Sequence, residues 1–335
     1  HGESLTGMMK FCRVPYVASG VAYGRLQVQE RFMKAIFDPL KRMGASNPYL
    51  LLTLTMLMWS ANGIAGRMAI GEVSPMVIVT LRWLISCSLL FAFAFHRILE
   101  DWLILKHHVL RLVLGAVFGF TGFNAIFYLS AHHTSAVNMT ILQGSLPIFV
   151  LMGAAIFQRT PLTMLQAIGI PFTIAGVIAV ASQGDLDVLL GFKFNIGDIG
   201  LVIACLSYAI YTLMLRNRPK VSGLGFFAIV ALAAFITSLP LLGLEIALGA
   251  AQWPTPIGWL LIAFIGICPS LLAQLFFLKA VELIGPGRAS IFTNLVPIFG
   301  PLLAVAALGE PFHLYHAIAL ALVLGGIMLA EWRRA

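Results

Sequence analysis

Polar side chains recur inside long apolar runs of this chain, and their types are those that hold small organic molecules. Trp59, Ser60 and Asn62 fall in one run, Asn124 and Tyr128 in another, and Asn138, Thr140 and Gln143 in a third. Later runs carry Ser207, Tyr208 and Tyr211, then Ser270 and Gln274, then Thr293 and Asn294. None of these is charged. Uncharged hydrogen-bonding groups interleaved with aromatic rings suit a neutral, zwitterionic or amphipathic solute. The plainer reading is that Ser, Thr and Asn join helix to helix, at about 0.6–2 kcal/mol each. Taken singly, each residue is better explained by helix joining; taken together, they mark a cavity.

Charged residues are weighed separately. Arg82 lies about seven residues into its run, roughly 10 Å deep at 1.5 Å per residue. Arg67 stands nearer the end of its own run and can snorkel. One reading is an electropositive vestibule that meets a carboxylate, which arginine pairs well. The other is that Arg82 caps carbonyls or packs against a neighbour. Lys279 and Glu282 are three apart, a spacing for a surface ion pair. His132, His133, His313 and His316 fall at the ends of runs. His313 and His316 could ligate a metal, but no carboxylate or thiolate partner is evident, so neither a metal nor a cofactor is expected. No clustered His/Asp set or serine-nucleophile motif points to an enzyme. Glu245 and Asp198 stand near the ends of runs, and no Asp or Glu lies in the middle of one. Coupling through an embedded acid, common in proton-driven carriers, is therefore not expected, and facilitated diffusion or exchange is the simpler guess.

The elements that must position these groups follow from composition. Hydrophobic residues are 60% and charged residues 10% of the 335, against about 25% charged in a soluble domain. This is an all-α integral membrane composition, because lipid offers the backbone no hydrogen-bonding partner. Ten transmembrane helices are expected, at roughly 49–69, 75–95, 109–130, 136–156, 164–182, 197–216, 224–248, 257–279, 287–308 and 313–332. Each is long enough to span a layer of about 30 Å. With the N-terminus in the cytoplasm, seventeen of the twenty-one Lys and Arg lie on the inner side and only Lys193 on the outer. That bias puts both termini inside. The net charge of +8 fits basic cytoplasmic loops, so nucleic acid is not expected as a partner. The expected partners are a small-molecule solute and membrane lipid, with a homodimer left open. Of the four cysteines, Cys87, Cys205 and Cys268 lie in apolar runs and read as small buried hydrophobes, not disulfides. Residues 1–48 form a basic tail, expected to be disordered or foreign to the native chain, with Met43 as a candidate start.

The stretch from Ile141 to Gly176 returns as Ile291 to Gly326. Pro147/Pro297, Ile148/Ile298, Phe149/Phe299, Pro161/Pro311 and Gly176/Gly326 match in register. An internal repeat of this kind organises a whole chain. Its copies lie five spans apart, an odd number, so equivalent helices must cross in opposite directions. Two inverted five-helix repeats, 49–182 and 197–332, joined by an extracytoplasmic linker at 183–196, are the expected architecture, with a solute site between them. Pro147 and Pro297 kink equivalent helices and are candidate hinges. Gly115, Gly119 and Gly122 give the third helix a small face for close packing.

The order of short motifs then resembles a known family. Trp59-Ser60, Leu81-Arg82, Thr134-Ser135-Ala136, Pro147-Ile148-Phe149, Arg288-Ala289-Ser290, Pro297-Ile298-Phe299 and Leu308-Gly309-Glu310 together resemble the EamA-type branch of the drug/metabolite transporter superfamily, over residues 48 to 332. Gln158-Arg159-Thr160 departs from it, because the family often places Gly-Glu there; that glutamate's loop-packing role is then missing from the first half. The resemblance implies a secondary transporter of small organic metabolites, amino-acid-like or otherwise amphipathic, with export expected. It would work by alternating access in the inner (plasma) membrane. A membrane-embedded enzyme and a non-transporting receptor or scaffold are the alternatives.

Overall fold

A computed structural model describes residues 47–191 and 193–331, so the basic tail lies outside the described residues. The described chain is all helix, with no strand, and nine of its helical stretches are long and apolar enough to cross a membrane. The elements are α1 (Pro48–Met68), α2 (Pro75–Leu105), α3 (Val109–Ala116), a π-helical turn (Val117–Thr121), α4 (Gly122–Ala131), α5 (Ala136–Gln143), α6 (Leu146–Gln158), α7 (Met164–Ala181) and the short α8 (Leu186–Leu190). Next come α9 (Ile196–Met214), α10 (Gly223–Ala247), α11 (Pro256–Ile267), a second π turn (Cys268–Leu272), α12 (Ala273–Ile284), α13 (Pro286–Ile291), a 3-10 turn (Phe292–Leu295), α14 (Val296–Leu308) and α15 (Leu314–Glu331).

Nine differs from the expected ten because helix continues from Pro75 to Ala131 with only a 3-10 turn at Lys106–His108. The expected link at 96–108 is itself helical. This 57-residue stretch is not one rod. A straight helix would hold Arg82 and Tyr128 about 69 Å apart at 1.5 Å per residue, yet they are hydrogen-bonded at 2.6 Å. The chain therefore doubles back between them.

Local chemistry sets the boundaries. Asn47, Ser135, Thr163, Asn195, Ser222 and Thr255 each cap a helix start through the side chain, which satisfies amide donors that the first turn leaves open. Pro48, Pro256 and Pro286 stand at first positions, where a missing N–H costs nothing. The fourth predicted span breaks at Gly144–Ser145, just before Pro147, and its counterpart breaks into a 3-10 turn just before Pro297. Both prolines open a new helix after an interruption, which is more than a bend in a continuous one. Arg159 ends α6 at φ 52° and Gly309 ends α14 at φ 66°. The departure at Gln158-Arg159-Thr160 thus forces an arginine into a left-handed conformation that favours glycine.

Packing pairs the two halves of the chain in the same way. α1 packs on α12 and α14 as α9 packs on α4 and α6, while α7 packs along α15 and α2 along α10. The π turns, at 117–121 and 268–272, fall in equivalent helices. Each turn exposes a carbonyl that a side chain from the other half uses. Ser207 Oγ of α9 donates to Phe118 O at 2.7 Å, and Trp59 Nε1 of α1 donates to Pro269 O at 3.3 Å.

The connections after α1, α4, α7, α10 and α14 gather at one end of the bundle. Gln252 N donates to Ser74 Oγ, Ser74 Oγ donates to Glu245, and Asn195 Nδ2 donates to His133 O. Glu310 accepts from the N–H groups of Ala136 and Val137, both at 3.0 Å, and lies 3.6 Å from Arg67 Nε. Glu310 therefore caps α5 and anchors Arg67. At the opposite end, Asp101 accepts from Ser222, and Arg216 Nη1 donates to Gln158 at 2.6 Å.

Candidate functional site

Five of the sequence candidates, Asn62, Arg82, Asn124, Tyr128 and Ser270, meet inside the bundle. Arg82 Nη1 donates to Asn124 Oδ1 at 2.5 Å and to Tyr128 Oη at 2.6 Å, and Tyr128 Oη donates to Asn62 Oδ1 at 2.8 Å. Arg82 Nε donates to Ser270 Oγ at 2.8 Å. α2, α4 and the second π turn meet at one guanidinium, and α1 joins them through Tyr128. The π geometry matters here, because Ser270 Oγ also reaches back to Ile265 O, five residues earlier. Arg82 is only 4% exposed. Its partners are neutral, and no carboxylate lies within ion-pair distance among the described residues. Of its five donors, three are accounted for by these bonds.

Aromatic side chains wall one flank. The Arg82 guanidinium lies 5.2 Å from the Trp83 ring and 5.6 Å from the Tyr128 ring, distances at which a cation is attracted to the ring face. Trp83 meets Phe120, which meets Tyr211, which meets Tyr208, with centroid separations of 4.9–5.5 Å. Tyr208 also meets Phe123 at 5.3 Å. Gly115 and Gly119 lie under the Tyr211 ring, so the small face expected on the third helix seats this tyrosine.

Trp59 and Ser60 sit on the same helix as Asn62 and brace it. Trp59 Nε1 bonds Pro269 O and its ring lies 5.4 Å from Phe277, while Ser60 Oγ donates to Val296 O at 3.3 Å. Gln274 is half-buried on α12, two residues after its π turn, where Asn124 stands three residues after the π turn of the first half.

Three candidates lie elsewhere. Asn138 belongs to a cluster with Thr134, Asp198 and His316. Gln143 bonds Met139 O of its own helix at 3.2 Å. Asn294 Nδ2 donates to Glu331 at 3.2 Å. Arg67 is braced by Ala131 O at 2.5 Å and by Glu310, so it is not held out for a solute. Lys279 and Glu282 form the expected exposed ion pair at 3.1 Å, worth about 0–1 kcal/mol. Both ring nitrogens of His316 are engaged within the protein: Nδ1 accepts from His313 N, and Nε2 bonds Asn138 Oδ1.

Two groups escaped sequence reasoning. Trp83 Nε1 and Thr80 Oγ1 are buried without a hydrogen-bond partner among the described residues. Such groups are costly unless something else satisfies them. The signal was available: Thr80 and Trp83 are three apart on α2, beside Arg82. Asp198 was placed correctly near a helix end, but it is fully buried there, because folded connections cover that end.

The EamA-like transporter family profile matches residues 46–182 and 195–332. The chain is 26% identical over 287 residues to the uncharacterized transporter YyaM of Bacillus subtilis, spanning 85% of this chain and 93% of that one. It is 24% identical over 313 residues to the uncharacterized transporter YetK of the same organism, spanning 91% and 93%. A solved crystal structure superposes with a TM-score of 0.56 at 18% identity, covering 87% of this chain and 99% of that one, which supports the fold. The names borne by the family and by these relatives point to transport and not to an enzyme. A buried polar centre inside a multi-pass helical bundle, with a family match over both halves of the chain, makes this a membrane transporter, and the chain belongs to the EamA-like transporter family.

Proposed function

We propose that the protein is a secondary transporter, working by alternating access, for small organic solutes that carry a carboxylate or similar anionic group beside an apolar or aromatic body. The observation that carries this reading is Arg82. A buried charge is retained only where something repays its desolvation, and its described partners here are neutral. An anionic solute would supply the missing counter-charge through strong, charge-assisted hydrogen bonds. Trp83, Phe120, Tyr208 and Tyr211 suit the rest of such a solute, and Trp83 Nε1 offers one more donor. Export across the inner membrane remains the expected direction. Uptake of a labelled metabolite panel into proteoliposomes tests the reading: saturable movement of one carboxylate class supports it, and movement of none by folded protein sinks it.

Alternating access draws support from the repeat. Equivalent helices begin at 48 and 196, 75 and 223, 136 and 286, and 164 and 314. Counting two spans within Pro75–Ala131 gives ten crossings in two halves of five. Equivalent helices then run in opposite directions, so each half can adopt what the other has left. Reporter fusions after Lys193 and after Arg334 are expected on opposite sides, with Arg334 cytoplasmic; the same side for both contradicts this topology.

Pro147 and Pro297, at the two helix breaks, are the proposed hinges. Alanine restores an N–H donor and favours a continuous helix in one half only. Pro147→Ala and Pro297→Ala should therefore shift cysteine accessibility of the cavity in opposite directions. A bias of about 1.4 kcal/mol changes the population ratio about tenfold. Unchanged accessibility in both folded variants would make the prolines static kinks.

A further inference from the structure

The polar cluster away from the centre has a direction. His316 Nδ1 accepts the His313 backbone N–H at 2.9 Å. Its Nε2 must then carry the hydrogen, which it gives to Asn138 Oδ1 at 3.0 Å. That fixes the Asn138 amide with its nitrogen toward Asp198, 3.3 Å from both carboxylate oxygens. Asn138 also donates to Thr134 Oγ1 at 3.2 Å, and Thr134 donates to Asp198 Oδ1 at 2.5 Å. Every bond in the chain points toward one carboxylate, which is fully buried.

No cation closes the chain. No Lys, Arg or His nitrogen lies within 4.0 Å of Asp198 among the described residues. The titratable and charged groups around it are His316 and Tyr315 on α15, His313 before that helix, His132 and His133 between α4 and α5, and the Arg67–Glu310 pair. His132 lies outside the spans; burial lowers the affinity of its imidazole for a proton, and His133 and Arg67 add to that effect. The first turn of α9 favours an anion at Asp198 by a modest amount. A carboxylate sealed from water among neutral donors is still costly. The alternative to a missing cation is a proton, which needs only one free lone pair. Oδ2 has it, since its sole described partner is the long contact to Asn138. Metal ions fit poorly, because Thr134 and Asn138 turn donors, not oxygen lone pairs, toward the carboxylate.

The cluster also bridges the two halves, with Thr134 and Asn138 from one and Asp198 and His316 from the other. We propose that Asp198 is a proton-binding site: it takes a proton on Oδ2 when this end of the bundle is sealed, and returns it to water when the halves part there. On the alternating-access reading, solute movement is then coupled to proton movement. The step forms and breaks one O–H bond, with water as donor and acceptor. It replaces the expectation of uncoupled diffusion or exchange, which rested on the absence of an acid in the middle of a run.

Infrared difference spectra of the whole protein in lipid, recorded across a pH titration without solute, test the site directly. A carboxylic C=O band that vanishes on alkalinisation, and that is lost in Asp198→Asn, is expected. Thr134→Val removes a donor to the anion, so the band should persist to higher pH. A band that survives in Asp198→Asn, or that shows the same midpoint in Thr134→Val, overturns the proposal; the second variant decides if the first does not fold. In proteoliposomes with a labelled carboxylate, an imposed pH difference should alter accumulation by the wild type and not by Asp198→Asn. Equal response in both overturns the coupling. The infrared readout needs no transport, so its failure is distinct from failure of the carrier reading.

Discussion

Arg82→Gln should lower transport of carboxylate solutes about 10- to 100-fold while leaving uncharged analogues of the same shape little changed. The range follows from the 1.5–3 kcal/mol typical of hydrogen bonds to charged groups, with 1.4 kcal/mol per tenfold. Glutamine keeps a donor in reach of Asn124 and Tyr128 but removes the charge and the planar fork. Arg82→Lys keeps the charge without the fork and should fall between the two, because lysine cannot hold a carboxylate in two parallel bonds. Initial rates over matched charged and uncharged solutes provide the check. Arg82 also ties α2 to α4 and the second π turn, so the ratio between solute classes carries the test. Equal loss for both classes, with less folded protein, would make Arg82 a brace only.

The largest structural effect is expected at Gly326. α7 and α15 approach backbone to backbone. A Cβ on Gly326 would stand 2.6 Å from Gly169 O and 2.9 Å from Thr173 N, and one on Gly176 would stand 2.9 Å from Ala319 O. Backbone atoms cannot swing aside, so the helices must separate. Gly326→Ala should cost about 1–3 kcal/mol, the usual range for overpacking, and Gly326→Leu should leave little folded protein. Gly325 is the control, because nothing lies within 4 Å of its Cβ position. Thermal unfolding in detergent should separate Gly326→Ala clearly from Gly325→Ala. Equal melting of the two would mean that α7 and α15 do not pack this closely in the membrane.

Particular residues show what the sequence made legible. Apolar runs located the helices, since in lipid only helices satisfy a lone segment's backbone. The Pro147/Pro297 register marked the two equivalent places as kinks, and the structure interrupts the helix at both. Asn62, Arg82, Asn124 and Tyr128 were recognisable as polar groups in costly places, and they do meet. Their company with Ser270 depends on a π turn that no spacing rule reveals. Asn138 and Gln143 read as site candidates because they are polar groups inside an apolar run, yet one donates to Asp198 and the other to its own backbone. Asp198 stands near a helix end, as its position in the sequence implies, but its burial was not legible, because that depends on the connections folded over it. The link at 96–108 carries charges that mark the end of the apolar run, but a helix can continue past the run, and here it does.

The most direct test of the account is counterflow. Proteoliposomes loaded with an unlabelled carboxylate solute and diluted into its labelled form should accumulate label transiently above equilibrium, because a carrier that presents one site to each side in turn returns loaded faster than empty. Overshoot that is lost with Arg82→Gln for the carboxylate, and kept for an uncharged analogue, is the predicted result. Uptake that is indifferent to internal solute, from folded wild-type protein, would contradict alternating access at a central site.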